Sequence, residues 1–230
     1  MTDHKTKIVR RFFSGTGRTY DLMVNLNTFG FDICWKRQIL GKIPKESTCI
    51  MDQGCGTGIL TFQIARRFPR CRVIGVELRD EYLAIAREKA HALKLRNVEF
   101  ILGKAEDFLF EIEFDCITSS YLAKYADLEV LTRNTMQMLR NGGIVIMHDF
   151  TYPPNRTFAK IWEFYFKLLQ TGGRWKYPQW QEIYCGLPTL LRETRWVQEL
   201  SKTLVEKGFS DIRIQSYTLG TSAIVTARKA

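Results

Sequence analysis

The sequence predicts an α/β fold, a single domain built on a mostly parallel seven-stranded sheet with helices on both faces and a helical lid. Three observations lead there. From residue 48 onward, short β-branched runs alternate with stretches of helical spacing, as in a parallel sheet wound by helices. A glycine-rich turn stands between the first run and the helix after it. Between residues 153 and 200 aromatic residues recur at helical spacing.

Residues 8–41 read as helices covering the site ahead of the sheet, so 1–45 is assigned to an N-terminal cover and 46–152 to the core. Thr48-Cys49-Ile50-Met51-Asp52 is the first strand. A helix over 58–68 ends before Pro69, which cannot continue it. Cys71 to Val76 is the second strand, and Asp80 to Leu93 a helix with Leu83, Ile85 and Ala86 opposite its charges. Val98 to Leu102 and Phe114 to Ser119 are the third and fourth strands. The next helix, from Leu128, is expected to stop at Asn141-Gly142-Gly143, a glycine-rich C-cap, before a fifth strand from Ile144 to His148. Residues 153–200, with Phe158, Trp162, Tyr165, Phe166, Trp180 and Trp196 among them, form the lid. In 201–230 a helix closes at Gly208-Phe209, and strands follow at Asp211 to Ser216 and Ala223 to Ala227.

Composition narrows the function. In 230 residues, 45% hydrophobic content is enough for a substantial core. No apolar stretch approaches the roughly 20 residues of a spanning helix. The segment Met1 to Arg11 is polar and basic without an apolar run behind it, unlike a secretion signal, so a cytoplasmic protein is expected. Six scattered cysteines form no C-x-x-C pair and the three histidines are far apart, so neither a disulfide framework nor a protein-bound metal is expected. The net charge of +10, concentrated at His4, Lys5, Lys7, Arg10 and Arg11 and again from Arg66 to Arg72, would attract an anionic partner such as a membrane surface. It serves solubility equally well.

The chemistry is written most plainly in Asp52-Gln53-Gly54-Cys55-Gly56-Thr57-Gly58. Glycines suit a backbone that turns sharply and approaches a ligand closely, and the following helix offers free N–H groups at its start. Nineteen residues beyond Gly58, at the tip of the second strand, Glu77 is placed to accept ribose hydroxyls, with Leu78 beside it. These residues resemble the class I S-adenosylmethionine methyltransferases, whose first motif is an acidic residue followed by G-x-G-x-G, whereas nicotinamide sites favour G-x-G-x-x-G. The resemblance implies a Rossmann-like methyltransferase fold with S-adenosylmethionine as cofactor. It also implies that Asp52 holds the methionine end, that Ala105 and Glu106 meet the adenine, and that the fourth strand, ending at Ser119, lies beside the methyl group.

A closer resemblance is to the ubiquinone/menaquinone-biosynthesis C-methyltransferases, carried by Tyr20-Asp21-Leu22-Met23, Trp35-Lys36-Arg37, Asp149-Phe150-Thr151-Tyr152-Pro153 and Leu190-Leu191-Arg192. It implies C-methylation of an isoprenoid quinol or related phenolic lipid. Where that family carries an Arg-Asn pair after the fourth strand, this chain has Lys124-Tyr125, exchanging a planar fork for a point charge. Two other chemistries stay open: N-methylation of phosphatidylethanolamine-type lipids, and quinone modification that uses the cofactor without methylating. A non-catalytic cofactor-binding protein is a reading of another class. The base-amine motif of nucleic-acid methyltransferases is absent after the fourth strand, so no nucleic acid partner is expected.

The partner is then a small-molecule or lipid acceptor, met peripherally on the inner membrane face in the lipid case. The catalytic candidates are His148 and Asp149 at the carboxyl end of the fifth strand, Lys124 and Tyr20. His148 titrates near neutrality and suits a general base, but a strand-end histidine bonded to its surroundings is an equal reading. Tyr20 reads as a lid or a packing residue, and Lys124 as an anchor for an anionic oxygen or a surface lysine.

Overall fold

The computed structural model describes residues 2–230. Met1 lies outside the described residues, as does the side chain of His4 in the basic N-terminal run. The cover consists of α1 (Thr2–Phe12), α2 (Tyr20–Asn27) and α3 (Phe31–Lys42). The core follows as β1 (Cys49–Gln53), α4 (Ile59–Arg67), β2 (Arg72–Glu77), α5 (Asp80–Ala92), β3 (Val98–Leu102), β4 (Phe114–Ser120), α6 (Leu128–Met138) and β5 (Leu139–Phe150). Then come α7 (Arg156–Lys176), α8 (Gln181–Glu193), α9 (Trp196–Glu206), β6 (Phe209–Tyr217) and β7 (Ser222–Lys229).

The strands form one seven-stranded sheet in the order β3-β2-β1-β4-β5-β7-β6. β1 to β5 run parallel, while β7 pairs antiparallel with both β5 and β6. Because successive strand residues point to opposite faces, the neighbours Ile50 and Met51 divide between two cores, as do Cys116 and Ile117. One core packs against α6 and α9 through Leu131, Met138, Leu200 and Leu204, the other against α3 and α4 through Ile39, Leu60 and Ile64. Each fully buried aliphatic side chain contributes about 1.5–3 kcal/mol, which accounts for the near-continuous apolar reading of these strands. The buried Asp115 fastens two strand starts, accepting hydrogen bonds from the backbone N–H groups of Thr48 (2.6 Å) and Cys49 (2.8 Å) and pairing with Arg140.

Two expectations about the elements need correction. The helix before β5 ends at Met138, and no glycine cap closes it: Leu139 is already extended and pairs with Phe114. Gly142, at φ +75°, lies in the irregular stretch where the β4–β5 register shifts between Phe114 and Cys116. Trp196, placed with the lid aromatics, is instead 1% exposed in the α6–α9 core, so the helices over the site are α7 and α8. Their own core joins Phe166, Trp180, Tyr184 and Leu187 to Phe12 and Met23 of the cover.

The order reverses between β1 and β4, which opens a crevice at the carboxyl ends of the strands. The cover is latched across it. Asp21 accepts hydrogen bonds from Thr57 Oγ1 (2.5 Å) and from Lys89 Nζ (2.6 Å). Thr16 and Tyr82 share a hydroxyl hydrogen bond at 2.6 Å, and Glu81 accepts the N–H groups of Gly15 and Gly17.

Candidate active site

The turn after β1 passes through three left-handed glycines, of which Gly54 (φ +68°) and Gly56 (φ +58°) line a cavity in the crevice. A Cβ on Gly56 would meet only Tyr82 at 3.8 Å and Tyr20 at 4.0 Å, so the space above that backbone is open to a ligand. Glu77, Leu78, Ala105 and Glu106 line the same cavity, and Thr6, Val9 and Phe13 of the cover form its outer wall. Glu77 accepts the N–H groups of Gly56 (2.9 Å) and Arg79 (2.8 Å). Burial pushes its carboxyl pKa up, against the pull of those N–H groups.

A smaller cavity adjoins this one, lined by Lys36, Asp52, Gly54, Cys55, Gly56 and Ser120, with Tyr20 and Tyr121 beside them. Asp52 accepts hydrogen bonds from Thr61 Oγ1 (2.6 Å) and Thr118 Oγ1 (3.0 Å). Burial raises its pKa to about 6, although both hydroxyls and Lys36 favour the charged form. Of the remaining loop residues, Thr57 donates its hydroxyl to Asp21, and Gly58 (φ +89°) is the N-cap of α4. Ser119 is a correction. It is buried with no partner for its hydroxyl and lines no described cavity, while Ser120, one place along the alternating strand, faces the site.

A third cavity, of about 540 Å³, opens beneath α7 and α8. Its walls are largely aromatic, with Phe13, Phe150, Trp162, Phe166 and Trp180 among them, and Lys124 is the one charged residue among the described residues of the lining. Tyr20 and Tyr121 line all three cavities and so stand where they meet. Tyr20 stacks on Trp180 with ring centroids 6.1 Å apart. Tyr121, at φ +70°, stacks on Phe150 at 4.6 Å and donates its hydroxyl to Asp32 Oδ1 at 2.6 Å. Burial holds the pKa of both phenols well above the ordinary value.

Lys124 is buried, not a surface lysine. Its ammonium donates to Asp149 Oδ1 (2.5 Å) and to the Tyr121 carbonyl (3.0 Å), and lies 4.4 Å from the Tyr125 ring centroid. Asp149 also accepts the backbone N–H of Lys124 at 3.0 Å and that of Phe150 at 2.7 Å. It lines no described cavity, so it reaches the site only through Lys124. Burial lowers the Lys124 pKa, against the opposing pull of Asp149. His148 is not brought to the site: it is 0% exposed and lines none of these cavities. Both ring nitrogens are engaged, Nδ1 with Ser120 Oγ (2.9 Å) and Nε2 with Ser222 Oγ (2.8 Å), and burial with Lys36 and Lys124 nearby pushes its pKa well down. At the end of β5 the structure therefore turns His148 away from the cavities and pairs Asp149 with the buried Lys124.

Sequence reasoning missed Ser120, Tyr121 and the Asp32–Lys36 pair as site residues. Strand alternation at the end of β4 was the available signal for Ser120. For Asp32 and Lys36 it was opposite charges four residues apart on a helix whose other buried positions are Trp35, Ile39 and Leu40.

A switch-point crevice holding a glycine turn and a strand-tip carboxylate, beside a separate aromatic cavity, is the arrangement of the S-adenosylmethionine-dependent methyltransferases. The model of the ubiE/COQ5 methyltransferase family matches residues 1–229. The chain belongs to that family. The demethylmenaquinone methyltransferase of Staphylococcus aureus (strain JH9) is 25% identical over 97% of this chain and 95% of its own length. The phosphoethanolamine N-methyltransferase 2 of Haemonchus contortus, solved with S-adenosyl-L-methionine, superposes with a TM-score of 0.60 at 18% identity over 85% of this chain and 52% of that one. A methyltransferase from Aquifex aeolicus superposes with a TM-score of 0.58 at 14% identity, covering 85% and 89%. These two likenesses are of fold. The protein is an enzyme that uses S-adenosylmethionine, and its residues fit the cofactor: open space above Gly56, a buried carboxylate at Glu77, and opposite charges in the adjoining small cavity.

Proposed function

We propose that this methyltransferase C-methylates an isoprenoid quinol or related phenolic lipid. The observation that carries the reading is the large aromatic cavity whose one charge is the Lys124 cation. The demethylmenaquinone methyltransferase relative supports it. An amine acceptor fits less well, because among the described residues the cavity lining holds no carboxylate to receive it and Lys124 repels a second cation. Glu77 takes the ribose hydroxyls, Leu78, Ala105 and Glu106 flank the adenine, and the Gly54-Cys55-Gly56 turn passes under the methionine arm, with Asp52 beneath it.

Bound S-adenosylmethionine supplies an electrophilic methyl group on a sulfonium. The chain's part is alignment and charge. Tyr20 and Tyr121 flank the junction where the cavities meet and hold cofactor and acceptor in line, from which much of the rate of a displacement comes. A ring carbon becomes nucleophilic when its phenol loses a proton to water, and the ring C–H proton leaves to water once the methyl group has passed from sulfur to carbon. Of the three N–H donors on the Lys124 ammonium, two go to Asp149 and the Tyr121 carbonyl, leaving one for the acceptor oxygen. A cation at hydrogen-bonding range lowers the phenol pKa and stabilises the phenolate. Asp149 keeps that cation in place.

The direct test supplies isotopically labelled cofactor with demethylmenaquinol in one reaction and a total lipid extract in another. Label on a quinone ring carbon is expected. Label on a headgroup nitrogen would replace this reading with the lipid amine one. Glu77→Ala is expected to weaken S-adenosylhomocysteine binding by roughly 1.5–3 kcal/mol, the range for a hydrogen bond to a charged group. Calorimetry showing less than about a tenfold change would place the ribose contacts elsewhere.

Among the described residues no helix is long and apolar enough to cross a membrane. The apolar stripe of α7 divides: Trp162, Tyr165 and Leu169 pack inward with Phe166, whereas Ile161, Phe164, Leu168 and Trp175 are exposed. Leu26 and Phe29 are exposed as well, and Phe29 lines the large cavity. An apolar rim with Lys160 and Lys167 on the same helix suits an anionic interface. The protein is expected to sediment with anionic vesicles at low salt and to release as salt screens the contact. Indifference to vesicles of every composition would favour a water-soluble acceptor.

A further inference from the structure

The small cavity beside the glycine turn holds a buried cation, Lys36. Lys36 extends from α3, its side chain is 3% exposed, and it pairs with Asp32 one turn earlier on the same helix. Its ammonium also lies 4.8 Å from the centroid of the Tyr121 ring. A buried ion pair is weak as a device for stability, because desolvation offsets much of the attraction. This pair is placed where a ligand can use it. Lys36 lines the small cavity together with Asp52, Gly54, Cys55, Gly56 and Ser120. Asp32 is not in that lining, and it shares its Oδ1 between Lys36 and the Tyr121 hydroxyl.

One cation and one carboxylate in a cavity adjoining a nucleoside site match an α-amino acid, which carries both charges. We propose that Lys36 binds the α-carboxylate of the cofactor's methionine arm, with Asp32 as the positioning residue that holds the Lys36 ammonium. One of the three N–H donors of Lys36 goes to Asp32, so a ligand carboxylate can be received without breaking the pair. A charge-assisted hydrogen bond in a buried site is about twice as strong as a neutral one, which makes Lys36 a selector for ligands that retain the amino acid. Because Asp32 also holds the Tyr121 hydroxyl, the same contact ties the methionine arm to the wall of the acceptor cavity.

Two probes separate this role from a structural one. S-adenosylhomocysteine keeps the amino acid, whereas 5′-methylthioadenosine keeps the nucleoside and thioether and lacks it. Lys36→Met is expected to weaken binding of S-adenosylhomocysteine about 10- to 100-fold in calorimetry, the span of a hydrogen bond to a charged group. Its affinity for 5′-methylthioadenosine should stay within about threefold of wild type, given the same nucleoside contacts. Lys36→Met leaves Asp32 buried without its cation. The double variant Asp32→Asn/Lys36→Met guards against misfolding, because the neutral amide at position 32 still accepts from the Tyr121 hydroxyl. It should show the same selective loss. Equal weakening of both probes would make Lys36 a support for the loop, and unchanged affinity for both would place the carboxylate elsewhere. Either result overturns the proposal. Failure of the wild-type chain to bind either probe would instead count against the cofactor site as a whole.

Discussion

Replacing Asp149 by alanine is expected to cost about 3–5 kcal/mol of stability, because it leaves the Lys124 ammonium buried with its counter-charge removed. Lys124 is 2% exposed and Asp149 0% exposed, so solvent cannot take over the role of the lost partner. Against a typical total of about 5–15 kcal/mol, that loss brings the protein near its unfolding threshold at physiological temperature. The double variant Asp149→Ala/Lys124→Met should recover most of it, since an apolar replacement of a buried pair is often neutral. Denaturant melts of the two variants check this, and a single variant as stable as wild type would show that the pair is not buried as described. Stability and activity should then separate: the double variant folds and binds cofactor but fails to methylate a phenolic acceptor, having lost the cation that holds its oxygen.

Gly56→Val is expected to lower cofactor affinity by more than about 3 kcal/mol, over a hundredfold. A valine there carries two penalties of different kinds. The left-handed backbone at φ +58° costs an L-residue about 1–2 kcal/mol, and that cost falls on folding. The isopropyl group then fills the space between Tyr20 and Tyr82, and that cost falls on the ligand. Circular dichroism should show a folded protein, and calorimetry with S-adenosylhomocysteine should show binding lost. Retained affinity in the variant would move the cofactor away from the glycine turn.

The sheet was legible because its strands are buried on both faces and read as apolar runs; Val73 and Ile74 are both core residues, one on each side. The glycine turn and Glu77 were legible because local spacing fixes them at the tips of two neighbouring strands. Side-chain direction was not legible in the same way. His148 and Asp149 are adjacent in sequence at the end of β5, yet pleating sends the histidine toward Trp35 and the aspartate toward Lys124. The Lys124–Asp149 pair joins residues 25 positions apart and exists because β4 and β5 are neighbours, with Ser120 opposite His148. Spacing along the chain cannot state that adjacency before the strand order is known. The split of the α7 stripe was hidden for a related reason, since an apolar helix face does not reveal how much of its width a partner covers.

The latch that ties the cover to the glycine turn gives the catalytic cycle a mechanical cost. Thr6, Val9 and Phe13 wall the cofactor cavity, and Asp21 ties the same cover to Thr57 and Lys89. A methyl donor is consumed at each turnover, so the spent nucleoside has to leave this cavity before the next one enters. Where release requires the cover to part, its opening rate sets a ceiling on the turnover number, whatever the height of the chemical barrier. Asp21, which lines none of the three cavities, belongs in that sense to the enzyme's clock.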